Sequence, residues 1–213
     1  ESNEPLHVTD FTDPPAFGWS GIMSLPRTLT WNSHEVLIIE PVEELQLLRL
    51  RKREEKNIRV SKDEPIRLPS VEGNTLELLL TIDPNDAEVC GIKVCASPDG
   101  QEETTIEYNR ESAQLTIDLE KSGLDESIKY YQYVMYSRGD NPRVTKQEAP
   151  LKLHPDEKLE LRIFIDRSIV EVFANKRQCM TQCIYPTRQD SQGVELFVKG
   201  GSMLVESFEA WDI

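Results

Sequence analysis

The stretch KLELRIFIDRSIVEVFAN (158–175) decides how the rest of the chain is read. Leu159, Leu161, Ile163 and Ile165 recur at every second position, the spacing that lines one face of a β-strand. Apolar residues resume at Ile169 and Val170, and between them lie Asp166, Arg167 and Ser168. Asp and Ser at such a break accept bonds from nearby backbone N–H groups and favour turns. The stretch therefore predicts two strands joined tightly, with Phe164 and Phe173 close together. A second reading makes Asp166 and Glu171, with Arg167 between them, the working carboxylates of a glycosidase. That chemistry needs two carboxyl groups about 5–10 Å apart flanking a sugar in a cleft. A lone hairpin offers no cleft, so Asp166 is read as a turn former.

The same alternation recurs along the chain. TLELLLTI (75–82) sets Leu76, Leu78, Leu80 and Ile82 on one face, VCGIKVCA (89–96) sets Cys90, Ile92, Val94 and Ala96, and AQLTIDL (113–119) sets Ala113, Leu115, Ile117 and Leu119. Turn-forming clusters separate these runs: SPDGQ (97–101), YNRES (108–112), YPTRQDSQG (185–193) and KGG (199–201). Short strands with frequent turns indicate an all-β fold, a β-sandwich of two antiparallel sheets. One segment departs from period two. PVEELQLLRLRK (41–52) spaces Val42, Leu45 and Leu48 by three, with Pro41 and two glutamates at its start. It predicts a short helix, with the basic run RLRKR (49–53) as its solvated C-terminal end. Upstream, GWSGIMSLPRTLTW (18–31) and HEVLIIE (34–40) read as strands standing apart from the sandwich. The domain boundaries that follow are residues 1–40, a linker helix over 41–53, and a sandwich over 54–213.

Bulk properties narrow the function. The 213 residues carry a net charge of −14, which argues against nucleic acid as a partner, since phosphates need clustered Lys and Arg. No run approaches the ~20 apolar residues of a membrane span, so no membrane partner is expected. Cys90, Cys95, Cys179 and Cys183 have gaps unlike those of common zinc sites, and the three histidines are far apart, so neither a metal nor another cofactor is expected. All four cysteines are expected as free thiols. The remaining carboxylates fall on turns and on strand positions read as solvent-facing, where no desolvated acid is maintained.

The N-terminal stretch FGWSGIMSLPR (17–27) gathers Trp19, Ile22, Met23 and Leu25 around Gly18 and Gly21. A small strand unit cannot bury such residues alone. The missing initiator Met suggests a processed or excised piece. Taken in order, GWSGIMSLPRTLTW, EPVEELQLLR, GIKVCASPDGQEETTIEYN, LRIFIDRSIVEVFAN, IYPTRQDSQGVELFVKGG and FEAWDI resemble the C-terminal part of the invertase and fructanase enzymes of glycoside hydrolase family 32. The resemblance runs from about residue 11 to the end. It implies that residues 1–40 are the last strands of a β-propeller, and that the propeller holds the chemistry, a retaining hydrolysis of sucrose, inulin or levan. The family's nucleophile and acid/base motifs have no counterpart here: DPND (83–86) lacks the preceding Asn, and EVC (88–90) has an intervening Val. No catalytic residue is therefore assigned to this chain. Trp19, Arg27, Asp166, Arg167 and Glu171 fall in segments that resemble the family's structural motifs. The implied partners are the N-terminal propeller of the same enzyme, a second copy in a homodimer, and a sucrose or fructan substrate bound through the whole enzyme. The alternative is a carbohydrate-binding module for fructan or other glycans, with Tyr131 and Tyr133 on one strand face as sugar-facing aromatics.

Overall fold

The computed structural model describes residues 23–33, 35–61, 65–125 and 145–213. Trp19, Tyr131 and Tyr133 lie outside them. A hairpin comes first, β1 (Arg27–Trp31) with β2 (Leu37–Pro41), followed by a 3-10 turn over Glu43–Leu48. Twelve strands then form two six-stranded antiparallel sheets. They are β3 (Leu50–Ser61), β4 (Ile66–Glu72), β5 (Thr75–Asp83), β6 (Val89–Ala96), β7 (Thr104–Asn109), β8 (Gln114–Asp118), β9 (Lys146–Pro150), β10 (Leu159–Asp166), β11 (Ile169–Ala174), β12 (Gln178–Cys183), β13 (Gly193–Lys199) and β14 (Ser202–Asp212). One sheet has the order β12-β11-β10-β5-β14-β3 and the other β4-β13-β6-β7-β8-β9.

The core lies between the sheets and is built from the alternating faces. Leu76, Leu78, Leu80 and Ile82 of β5 meet Leu159, Leu161, Ile163 and Ile165 of β10 in register, and all eight are buried. Ile92 and Val94 of β6, with Ile106, Leu115 and Ile117, supply the opposing layer. Cys90 and Cys95 are buried and free, and burial pushes both thiols up to about 12. Cys179 and Cys183 are free and half-buried. No helix among the described residues is long and apolar enough to cross a membrane.

The linker holds the expected short helix, shorter than the 41–53 span: a six-residue 3-10 helix, Glu43–Leu48. A spacing of exactly three is the period of a 3-10 helix, in which residues i and i+3 eclipse. The basic run is not a helix end. From Leu50 onward it is the edge strand β3, paired with β14, and its cations meet carboxylates of that neighbour: Arg51 and Arg53 on Asp212, Lys52 on Glu209. Charges spread along an exposed edge protect it from pairing with another chain.

Candidate functional site

The DRS turn is where alternation predicts it. Asp166 pairs with Ile169, leaving Arg167 and Ser168 as a two-residue loop, and the Phe164 and Phe173 rings meet edge to face with centroids 6.1 Å apart. The turn is held differently from expectation. Asp166 is exposed, and its carboxylate has no partner among the described residues. Arg167 takes a left-handed φ of 53° and donates its backbone N–H to the Asn74 carbonyl at 2.6 Å.

The other carboxylate of the motif is the consequential one. Glu171 is 1% exposed and points away from the core, on the outer face of the β12-β11-β10-β5-β14-β3 sheet. The cross-strand register places Thr181, Glu171, Phe164, Glu77 and Trp211 in one row across five strands of that face. Two buried glutamates thus flank a phenylalanine in the row, and each receives an arginine from the segment that precedes β3.

At the first end, Arg27 Nη2 donates to Glu171 Oε2 at 2.8 Å and to the Thr181 hydroxyl at 2.6 Å. The Leu25 N–H donates to Glu171 Oε1 at 2.6 Å, and the Thr181 hydroxyl donates to Oε2 at 3.0 Å. The Arg27 guanidinium also stands 5.6 Å from the Phe173 ring centroid. At the second end, Arg49 grips Glu77 with both arms, Nε to Oε2 at 2.8 Å and Nη2 to Oε1 at 2.6 Å. Arg162 adds a bond to Oε1 at 2.7 Å, and the Arg49 guanidinium carbon stands 3.8 Å from the Trp211 ring centroid. Glu77 is 0% exposed. Buried carboxylates persist only when paired and hydrogen-bonded, which both of these are. A third tie joins β2 to the β11–β12 turn: the Ile39 N–H donates to the Lys176 carbonyl at 2.7 Å, and Lys176 pairs with Glu40. The N-terminal strands therefore do not stand apart from the sandwich. They are clamped to its outer face.

The expectation that carboxylates stay on turns and solvent faces fails at four buried positions, Glu77, Glu171, Glu102 and Glu103, the last of which accepts a bond from the Lys93 ammonium at 2.9 Å. Glu102 has no cation among the described residues. It accepts the Thr187 N–H at 2.8 Å and hydroxyl at 2.6 Å, the Arg188 N–H at 3.1 Å, the Leu124 N–H at 3.3 Å and the Ser191 hydroxyl. Burial pushes its carboxyl up, but the Ser191 and Thr187 bonds outweigh this and the net direction is down. Each of the four is spoken for by internal donors, so none is a free acid or nucleophile. Among the described residues no His, Cys, Asp and Glu side chains gather as a metal site.

While the sandwich strands bury their apolar face, the hairpin β1–β2 does not. Leu29 and Trp31 sit opposite Ile39 and Leu37, yet Leu29 is 62% and Trp31 71% exposed. Upstream of β1, Met23 is 92% exposed. The clamped segment thus leaves large apolar side chains uncovered among the described residues.

Residues 44–212 match the family described as "Glycosyl hydrolases family 32 C terminal". The chain belongs to that family. Among family 32 relatives, a levanase from Bacillus subtilis (strain 168) is 32% identical over 203 residues, 92% of this chain and 28% of the levanase. A sucrose-6-phosphate hydrolase from Staphylococcus xylosus is 28% identical over 93% of this chain and 36% of its own length. The chain therefore spans about a third of the curated relatives it matches. The fold is that of the fructan 1-exohydrolase IIa structure from Cichorium intybus (TM-score 0.75, 21% identity, 92% of this chain and 42% of that one). It is equally that of an exo-inulinase from Aspergillus awamori (TM-score 0.71, 22% identity, 93% and 37%). The family match begins inside the 3-10 turn, so Leu25, Arg27 and the exposed hairpin precede it.

Proposed function

We propose that this chain is the C-terminal sandwich of a retaining glycosidase acting on sucrose or fructans, and that its own part is to seat the catalytic domain. In this reading residues up to about 40 are the closing strands of a propeller. Residues from 41 to Arg49 are the linker, and the sandwich begins with β3. The catalytic carboxylates belong to the partner domain. The observation that carries the reading is the clamped hairpin: Glu171 and Glu77 tie Leu25, Arg27 and Arg49 to the sandwich, while Leu29, Trp31 and Met23 stay exposed, with no cover among the described residues. An apolar face held so firmly suits the packing of a further domain. A homodimer through the same face is the second use it could serve.

The test is functional. The chain alone, incubated at high concentration with sucrose, inulin and levan, is expected to release no fructose, whereas the protein carrying the upstream domain is expected to release it. Turnover by the isolated chain that disappears on mutating one of its own carboxylates would overturn the assignment.

A further inference from the structure

At the end of the sandwich away from the clamp's carboxylate row, three loops frame a cleft of about 610 Å³. They join β5 to β6, β7 to β8, and β9 to β10, and so bring both sheets to one mouth. Loop clusters at the ends of a sandwich are where such folds place binding sites, and the volume falls in the range of small-ligand pockets. We infer that this cleft binds a short fructan oligosaccharide, as a sugar site separate from the parent enzyme's catalytic domain. The choice of fructan rests on the function proposed above. The choice of a neutral sugar rests on the cleft itself.

The walls are fixed in advance. Glu157 accepts both arms of Arg177, at 2.6 and 3.1 Å, the Asn175 amide at 3.0 Å and the His154 N–H at 2.8 Å, which pins the β9–β10 loop. Lys158 of the same loop pairs with Asp83, its neighbour on the adjacent strand, and Asp83 also accepts the Asn85 N–H at 3.0 Å. Arg110 reaches from the third loop to the Asn85 carbonyl at 2.6 Å. A site that is already ordered loses little entropy when it takes a ligand.

What remains uncommitted is at the rim. Lys152, His154, Glu111 and Asp156 line the cleft and are exposed, and their side-chain groups have no partner among the described residues. They present donors and acceptors together. Over the whole lining, three cations (Arg110, Lys152 and Lys158) stand against four carboxylates, so the charges nearly cancel and the cleft has little net charge with which to select an ion. The apolar members, Leu153 with Pro84 and Pro155, interrupt the polar ones, so a purely apolar ligand would leave charged groups stripped of water. A chain of sugar rings alternates hydroxyl groups with C–H faces, and that is the surface this lining complements.

The measurement is titration of the whole chain with fructo-oligosaccharides, with maltotriose as control, read by calorimetry and by amide NMR shifts. The expectation is binding of the fructo-oligosaccharide, with shifts confined to the three loops. Joint substitution K152A/H154A should weaken it about tenfold, the effect of removing two ligand hydrogen bonds, with melting unchanged because both side chains are exposed. E111A, from the opposite loop, should weaken it separately. Binding of maltotriose but not of fructan would overturn the assignment of the sugar. Absence of binding to either, or shifts centred away from these loops, would overturn the site. Neither result bears on whether the joined enzyme releases fructose, so a failure here is distinguishable from failure of the proposed function.

Discussion

Hairpin β1–β2 and strand β5 carry the same kind of pattern and meet opposite fates. In β5 the alternate residues Leu76, Leu78, Leu80 and Ile82 disappear into the core. In the hairpin, Leu29 and Trp31 stay largely in water. Alternation reports that a strand has two unlike faces. It does not report whether the cover for the apolar face lies in the same chain. The polar faces differ just as much. The residue beside Leu78 on β5 is Glu77, fully buried under Arg49, although its position in the pattern assigns it to solvent.

The largest effect should come from Leu78→Ala. It removes a fully buried side chain between the sheets and is expected to cost about 4 kcal/mol of unfolding free energy by urea titration. A cost below about 1 kcal/mol would mean that the two sheets are not packed through this face. Next is Glu77→Ala, one position along on the opposite face. It leaves Arg49 and Arg162 facing an empty buried site and should cost about 3 kcal/mol. The lower end of the usual range applies because both arginines keep about a fifth of their exposure. If Glu77→Ala behaved as a surface substitution, the clamp would not hold residues 43–49 in solution.

Acid should act more gently on the same contrast. At Glu157 burial pushes the carboxyl up, but Arg177, the His154 N–H and Asn175 outweigh it and hold it down at about 2, against 4.5 for a free glutamate. Glu102 is shifted in the same direction. Groups depressed in the folded state stabilise it fully above their unfolded values, and that contribution is lost as pH falls through the folded ones. The melting temperature should therefore hold down to about pH 4.5 and decline steadily towards pH 2, with Glu157→Gln flattening part of the decline. A decline beginning near neutrality would refute this origin.

The smallest effect belongs to the hairpin. Trp31→Ser should change the stability of this chain by less than about 0.5 kcal/mol, as an exposed substitution does. In a protein joined to its upstream domain the same change should cost several times more, because the ring would then be buried. Equal costs in the two settings would show that no domain packs there. Asp166→Ala should also be near neutral, since its exposed carboxylate is unpartnered among the described residues.

Much of the fold is legible before any coordinates. The alternating runs at 75–82, 89–96 and 158–165 became strands with the faces expected, and the DRS turn joined β10 to β11. These are local signals, because period two constrains each strand without reference to its neighbours. The clamp is not local. Glu171 and Leu25 are 146 positions apart, and nothing around either residue names the other. The signal available was an arginine in LPR and an acidic residue in an otherwise apolar strand, each of which needs a partner once buried. The linker differs for another reason. A spacing of three in 42–48 suits any helix, 3-10 or α, and cations that follow it suit a helix end as well as an edge strand. Their register against Asp212 and Glu209 appears only when β14 lies beside them.

The position of β14 has a consequence for how the molecule comes to exist. It lies between β5 and β3 although it is the last strand described, and β3 has no other neighbour in its sheet. At a synthesis rate of about 5–20 residues per second, β3 waits many seconds for a mate that emerges some 140 residues later. Its bristling row of lysines, arginines and glutamates is what keeps a long unpaired edge from finding the wrong strand during that interval. The sheet is zipped shut by its final segment, so birth of the domain is late and abrupt, and a ribosome that stalled before Ser202 would hold a chain whose middle was still open.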